Sequence, residues 1–109
     1  MFDLVLRGGE VVDGTGAARF RSDVAVLGDR IAAVAADLPG NGAQEIDVRG
    51  RIVCPGFVDL HSHSDLLFTL PAPAQRRLLG GRLRQGITTE LAGNCGYGPA
   101  PVVPRRLPL

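Results

Sequence analysis

Residues 55–65 read PGFVDLHSHSD, and this stretch decides the fold. A Pro-Gly break is followed by the mostly apolar run of residues 57–60, which gives way at once to histidine, serine and aspartate. Apolar character that continues up to a polar end is typical of a parallel strand whose carboxyl end opens into a site. The stretch therefore predicts a buried strand that presents polar side chains at its carboxyl end.

A helix is predicted after this strand. Residues 74–85 place Leu78, Leu79 and Leu83 near helical spacing, and Gly86 is well suited to end the helix. The four arginines of the segment are interpreted as a solvated helix face: Arg76, Arg77, Arg82 and Arg84.

A second strand follows the helix. Residues 87–92 are largely β-branched and apolar, and they run into the turn at residues 93–96. Residues 57–95 thus form one βαβ unit, in which polar residues cluster where both strands finish. Glu90 is left unassigned, because strand alternation argues both for and against a place in that cluster.

Residues 1–54 are predicted to form a small antiparallel β-domain. Short apolar runs, separated by glycine-rich breaks such as Gly8-Gly9, lie at residues 4–6, 10–12, 24–26, 46–48 and 52–54. Gly28-Asp29 has the composition of a two-residue hairpin turn. An alanine-rich helix over residues 31–38 is the alternative for that part of the domain.

Composition excludes several classes of function. The chain has 109 residues and a formal net charge of +1, so charge gives no argument for a nucleic-acid or membrane partner. The start lacks the basic region of a signal peptide, and no stretch approaches the roughly 20 apolar residues of a membrane span. Cys54 and Cys95 are too few for a disulfide framework, so we expect a cytoplasmic protein. The oligomeric state stays open.

A metal site is predicted at the two strand ends. His61 and His63 are two residues apart, so on a strand their side chains share one face. Cys95 ends the neighbouring strand, about 4.8 Å away in a sheet, so its thiolate can approach the same ion or a second one close by. Imidazole and thiolate together favour zinc over Mg²⁺ or Ca²⁺.

Other residues near this site have alternative interpretations. Asp59, Asp65 and Asn94 are candidates for residues that orient the metal ligands without contacting the ion. Histidines are often surface or core residues, and a lone cysteine is more often a small buried apolar residue, which is the interpretation adopted for Cys54. Residues 93–96 are also explained as a tight turn that needs positive φ angles.

Several of these segments resemble the amidohydrolase superfamily. Residues 3–9, 11–16 and 23–34 resemble the opening of these enzymes, and residues 55–65 resemble their first metal-binding strand. The block QGITTELAGNCG, residues 85–96, narrows the resemblance to the N-acyl-D-amino-acid deacylases, or D-aminoacylases. The resemblance covers nearly all of residues 2–101.

The resemblance implies a fold, a cofactor and an activity. The fold is a (β/α)8 barrel, beginning at residue 55, that carries a small β-sandwich domain to which residues 1–54 contribute. His61, His63 and Cys95 are implied as zinc ligands, with one tightly bound ion and a second, weaker one. The activity is hydrolysis of the amide bond of an N-acyl-D-amino acid, a small-molecule substrate.

The chain differs from the family in its length. A complete barrel takes about 250 residues, and this chain supplies two of its eight strands. The catalytic aspartate expected from the family lies beyond residue 109, so we assign no catalytic residue here and expect the fragment alone to be inactive. The proline-rich residues 97–109 are predicted to be irregular or extended.

Two other functions stay open. One is a cyclic amidohydrolase, such as a dihydropyrimidinase-like ring-opening enzyme. The other is a non-catalytic remnant whose β-domain associates with another chain.

Overall fold

The computed structural model describes residues 1–99, and the chain divides into two compact units, Met1–Pro55 and Gly56–Leu109. The domain boundary expected from the sequence lies between residues 54 and 55. Most of the proline-rich stretch predicted to be extended lies outside the described residues. Within residues 1–99, no helix has the length and apolar character needed to cross a membrane.

The first unit is a five-stranded mixed sheet. Its strands are β1 (Phe2–Val11), β2 (Phe20–Leu27), β3 (Arg30–Ala35), β4 (Gly42–Asp47) and β5 (Ile52–Val53). The spatial order is β3-β2-β1-β4, and β5 pairs with β1 as well. The pairs β1–β2 and β2–β3 are antiparallel, whereas β4 and β5 run parallel to β1.

The prediction of a purely antiparallel domain is therefore wrong. After β3 the chain crosses back before it pairs again, so that Gly42 at the start of β4 lies opposite Phe2 at the start of β1. Side chains alternate with a period of two in both kinds of pairing, so the apolar pattern does not reveal strand direction. The hairpin at Gly28-Asp29 is present, with φ of 61° at Gly28. The alternative helix over residues 31–38 is absent, because pairing with β2 outweighs the helix propensity of the alanines.

The predicted break at Gly8-Gly9 is a β-bulge inside one continuous strand. The pairing of β1 with β2 shifts register between Leu6 and Gly9, and Gly8 has a φ of 72°. A glycine in this left-handed conformation lets the strand bend and continue. A Cβ at Gly9 would lie 2.7 Å from Cγ2 of Val53, so the close approach of β5 also requires glycine there.

The first unit has a small apolar core and a nearby ionic cluster. Its buried apolar residues are Val5, Val11, Val24, Ala25 and Val48. Cys54, interpreted from the sequence as buried, is exposed, because β5 ends one residue before it.

The ionic cluster joins three strands of the first unit. Arg7 on β1 donates to Asp23 Oδ2 on β2 at 3.0 Å and to Glu45 Oε1 on β4 at 2.9 Å. Asp23 also accepts from the backbone N–H groups of Gly8 at 2.7 Å and Leu38 at 3.1 Å. Burial of Asp23 opposes its ionisation, but these donors together hold its pKa below the ordinary value.

The second unit contains two short parallel strands, β6 (Phe57–Asp59) and β7 (Ile87–Glu90), and a helix between them, α1 (Ala72–Arg84). Short 3₁₀ helices span Ser64–Thr69 and Asn94–Gly96. The helix begins just after Pro71, with a proline in its first turn, as is common at helix starts. It ends ahead of Gly86, whose φ of 83° provides the predicted stop.

No apolar side chain of the second unit is buried among its described residues, 56–99. Among residues 56–99, the buried residues are polar, whereas Phe57, Leu60 and Leu83 are 57%, 70% and 65% exposed. The prediction that residues 57–60 are buried is therefore wrong for the described chain, because its residues provide no layer to cover this strand. The apolar faces of β6 and α1 remain available for packing.

Replacing Asp23 by Ala is expected to lower the free energy of unfolding by about 1–2 kcal/mol at neutral pH, because buried donors lose their acceptor. A carboxylate whose pKa is lowered on folding stabilises the fold above its unfolded-state pKa of about 4, and this contribution is lost as the pH falls through the lowered value. Stability should therefore fall less steeply below about pH 4 in the variant.

Urea denaturation of the chain, followed by circular dichroism at several pH values, measures both effects. Asp29→Ala is the matched control, because Asp29 lies in the exposed hairpin turn and pairs with neighbouring Arg30 at 3.6 Å. Equal destabilisation by the two substitutions would contradict a special role for the ionic cluster.

Candidate metal centre

Backbone pairing continues past the ends of β6 and β7. The N–H of Leu91 donates to the carbonyl of Asp59 at 2.8 Å, and the N–H of Ser62 donates to the carbonyl of Leu91 at 3.0 Å. The side chain of Asn94 then donates to the carbonyls of Ser62 at 3.1 Å and Leu91 at 2.8 Å. These bonds bring the segment after β6 beside the turn after β7.

The three predicted ligand residues lie together at this junction. Sγ of Cys95 is 3.5 Å from Nε2 of His61, and the two imidazole ring centroids are 5.6 Å apart. One ligand atom from each of His61, His63 and Cys95 lies within 4.8 Å of the others. All three side chains are accessible to solvent.

The donor set fits a zinc ion. Tetrahedral zinc with Zn–N of about 2.0–2.1 Å and Zn–S of about 2.3 Å places its ligand atoms about 3.5 Å apart. The separation of Cys95 and His61 already has this value. No pair of ligand atoms would need to close by more than about 1.3 Å. Two nitrogens and one sulfur are also donors that zinc accepts and Mg²⁺ or Ca²⁺ disfavour.

The backbone of Cys95 is unusual. Its φ of 59° is in the left-handed region, as are those of Gly93 at 77° and Gly96 at 71°. The interpretation of residues 93–96 as a tight turn with positive φ thus describes the backbone correctly. For a residue other than glycine this conformation costs about 1 kcal/mol or more, and such strain is concentrated at functional sites. The strained turn is also what aims the thiol at His61.

Two of the three residues predicted to support the ligands form hydrogen bonds to the backbone close to them. Asp59 Oδ1 accepts from the backbone N–H of His61 at 3.1 Å. The side chain of Asn94 donates to the backbone carbonyls of Ser62 and Leu91. Asp65 does not join the three ligand atoms, and within the described residues its buried Oδ1 has no hydrogen-bond partner.

Sequence reasoning missed an ionic group behind the histidines. Glu90 accepts hydrogen bonds from Ser62, Ser64 and Arg82. The interpretation of Arg82 as part of a solvated face is wrong, because its guanidinium is bound to this carboxylate. The hydrogen bond from Ser64, followed by that from Arg82, lowers the pKa of Glu90. The alternation of serine with histidine over residues 61–64 was the signal that could have revealed a second, buried face.

Comparison with known proteins identifies deacylases and a deaminase as relatives of the chain. It is 43% identical to N-acyl-D-glutamate deacylase of Alcaligenes xylosoxydans xylosoxydans over 91% of the chain and 19% of that protein. It is 42% identical to D-aminoacylase of the same organism over 93% of the chain and 20% of that protein. An adenine deaminase of Sinorhizobium fredii is 40% identical over 82% of the chain and 15% of that protein. No protein-family model matches the chain.

Comparison with solved structures identifies enzymes of the same kinds. A D-aminoacylase with a binuclear metal centre matches 94% of the chain and 20% of its own length, with 42% identity and a TM-score of 0.80. N-acyl-D-glutamate deacylase of Bordetella bronchiseptica, solved with zinc and a phosphonate inhibitor, matches 93% of the chain and 20% of its own length, with 40% identity and a TM-score of 0.79. An L-hydantoinase of Arthrobacter aurescens matches only 60% of the chain and 14% of its own length, with 32% identity and a TM-score of 0.53.

The chain is thus homologous to N-acyl-D-amino-acid deacylases, which are metal-dependent amidohydrolases, and the resemblance predicted from its motifs is confirmed. It spans about a fifth of the length of the curated deacylases it matches.

Replacing Cys95 by Ala is expected to abolish tight zinc binding, because the ion loses its only sulfur donor among these residues. The measurement is metal content after dialysis, together with the thiolate-to-cobalt absorption band after cobalt substitution. The protein tested is the product of the longest reading frame that contains this chain, called below the full-length protein.

The chain offers a matched control in Cys54→Ala, since Cys54 is also an exposed free thiol. This variant should keep its zinc and its cobalt band. Equal zinc content in the Cys95→Ala variant and the unmodified protein would refute the ligand role.

Proposed function

We propose that this chain supplies the first metal-binding strands of a zinc-dependent amidohydrolase that hydrolyses the amide bond of N-acyl-D-amino acids. The observation that carries the proposal is the convergence of His61, His63 and Cys95 at the ends of two parallel strands. The similarity to deacylases for D-glutamate and other D-amino acids supports the substrate class.

The proposed cofactor is zinc, with one ion bound tightly through Cys95 and a second, weaker ion held with the help of His61 and His63. The binuclear centre of the D-aminoacylase structure supports two ions. Zinc at such a site would polarise an amide carbonyl and lower the pKa of a bound water towards about 7.

In the proposed reaction, the residues of this chain bind the metal ion and orient its ligands. Cys95 would act as a thiolate and the two imidazoles as neutral donors, which is the protonation state that metal ligands need. Asp59 and Asn94 fix the backbone that carries them. The remaining ligands and the carboxylate that handles the proton are proposed to come from other parts of the full-length protein.

The proposed fold is a (β/α)8 barrel in which β6 and β7 are the first two strands. Active sites of such barrels lie at the carboxyl ends of the strands, and the three ligand residues follow those ends here. The exposed apolar faces of β6 and α1 support the proposal, since neighbouring strands and helices of a barrel would cover them. The first unit would then form part of a β-sandwich, and the free thiols favour a cytoplasmic location.

A cyclic amidohydrolase is the second candidate. The similarity to L-hydantoinase supports it, although this similarity covers a smaller part of the chain than the deacylase similarity does. A non-catalytic remnant would retain the β-domain, but it would not explain why His61, His63 and Cys95 converge.

The full-length protein is expected to hydrolyse N-acetyl-D-glutamate or another N-acyl-D-amino acid. Replacing His61 by Ala should lower kcat/KM by at least about 100-fold, because even residues that only support metal ligands cost 10–100-fold. The measurement is release of the free amino acid, with the L-enantiomer, hydantoin and adenine assayed in parallel.

The matched control replaces an exposed arginine of α1, Arg76→Ala, which should leave kcat/KM unchanged. Turnover of hydantoin or adenine without any N-acyl-D-amino acid would exclude the deacylase. Absence of turnover for every substrate by a folded, zinc-loaded protein would favour the non-catalytic alternative.

A further inference from the structure

The two histidines alternate with two serines, which point to the buried side of the same segment. Ser62 and Ser64 are only 3% and 5% exposed. Both hydroxyls donate to Oε2 of Glu90, that of Ser62 at 3.2 Å. One carboxylate at the end of β7 therefore holds the segment that follows β6, from the side away from solvent.

The hydroxyl of Ser62 uses its full hydrogen-bonding capacity. It donates to Glu90, and it accepts from Nη1 of Arg82 at 2.8 Å and from the backbone N–H of Ser64 at 3.0 Å. A hydroxyl has one donor and two acceptor positions, so no bond is left over for water. This saturation fixes the residue that lies between the two histidines.

Arg82 connects this contact to the helix and to β6. Its Nη1 pairs with Oε1 of Glu90 and lies 4.0 Å from Oδ2 of Asp59. The other oxygen of Asp59 accepts from the backbone N–H of His61. Because Arg82 is in the last turn of α1, its charge is also favoured by the helix dipole. One guanidinium thus lies close to side chains on either side of His61, those of Asp59 and Ser62.

We propose that Glu90 and Arg82 are positioning residues for the metal centre, acting through the hydroxyls of Ser62 and Ser64 to preset the spacing of His61 and His63. The inference rests on the proposed function, since it presupposes that these histidines hold a metal ion. Ligands that are ordered before the ion arrives lose less conformational freedom on binding, so the affinity is higher.

The position of Glu90 in the chain strengthens this inference. Glu90 lies at the end of the strand that leads into the Cys95 turn, and it is paired in register with Asp59. Its side chain is only 16% exposed, and its negative charge is balanced by Arg82. Glu90 therefore links the end of β7 to the segment that follows β6 through the hydroxyls of Ser62 and Ser64, while Arg82 balances its charge.

The decisive variant is the double substitution Ser62→Ala and Ser64→Ala, which keeps the ion pair but removes the hydroxyls that connect it to the histidine segment. We expect the cobalt dissociation constant of the full-length protein to rise about 10–100-fold, the usual effect of residues that orient metal ligands. The metal-free protein should stay folded with a melting temperature lowered by a few degrees, because Glu90 loses two donors while the ion pair and the strand pairing remain. Affinity is measured by competition with a chelator, using the cobalt absorption band.

Thr89→Ala is the matched control, since it removes an exposed hydroxyl from the neighbouring position of the same strand. It should leave the cobalt dissociation constant unchanged. Glu90→Gln is the second test, in which a neutral amide replaces the carboxylate, and it should weaken cobalt binding in the same direction as the double variant.

The outcomes separate this inference from the proposed function. An unmodified protein that binds no cobalt would overturn both. The positioning role alone would be overturned if the unmodified protein binds cobalt tightly and both the double variant and Glu90→Gln bind it equally tightly. If neither variant folds, the group serves the fold as a whole, and the specific role in presetting the ligands is also refuted.

Discussion

The candidate site depends on the parallel pairing of β6 with β7. The pairing joins residues about thirty positions apart in sequence, and it continues beyond the strands through the bonds between Leu91, Asp59 and Ser62. Without this continuation the imidazoles and the thiol would belong to separate loops. With it, Sγ of Cys95 lies at the distance from Nε2 of His61 that a shared zinc ion requires.

The site has two faces with different chemistry. Towards solvent it presents nitrogen and sulfur donors, and on the buried side it presents hydroxyls, a carboxylate and a guanidinium that satisfy one another. The alternation of His61, Ser62, His63 and Ser64 produces both faces from four consecutive residues. Among residues 56–99, Cys95 is the one residue other than glycine that has a positive φ.

The sequence predicted those parts of the molecule that depend on local patterns. Alternation and turn residues predicted the hairpin at Gly28-Asp29, the helix stop at Gly86 and the convergence of His61, His63 and Cys95 at the strand ends. The direction of β4 and β5 relative to β1 could not be predicted, because it depends on where the chain crosses over. Side chains alternate with a period of two in parallel and antiparallel strands alike, so the sequence pattern does not distinguish them. The role of Arg82 was missed for a similar reason, since its partner Glu90 is on another element and the spacing within the helix carries no information about it.

The lack of buried apolar side chains among residues 56–99 has a consequence for the order of assembly. The first unit has its own small core, so it can gain order as soon as it leaves the ribosome. The strand pair of the second unit has little burial to offset the conformational entropy of ordering it. In the proposed barrel it would become ordered only after neighbouring strands and helices cover it. Metal loading would then be a late event in biogenesis, and until that time the nascent strand edges would be exposed to chaperones and proteases.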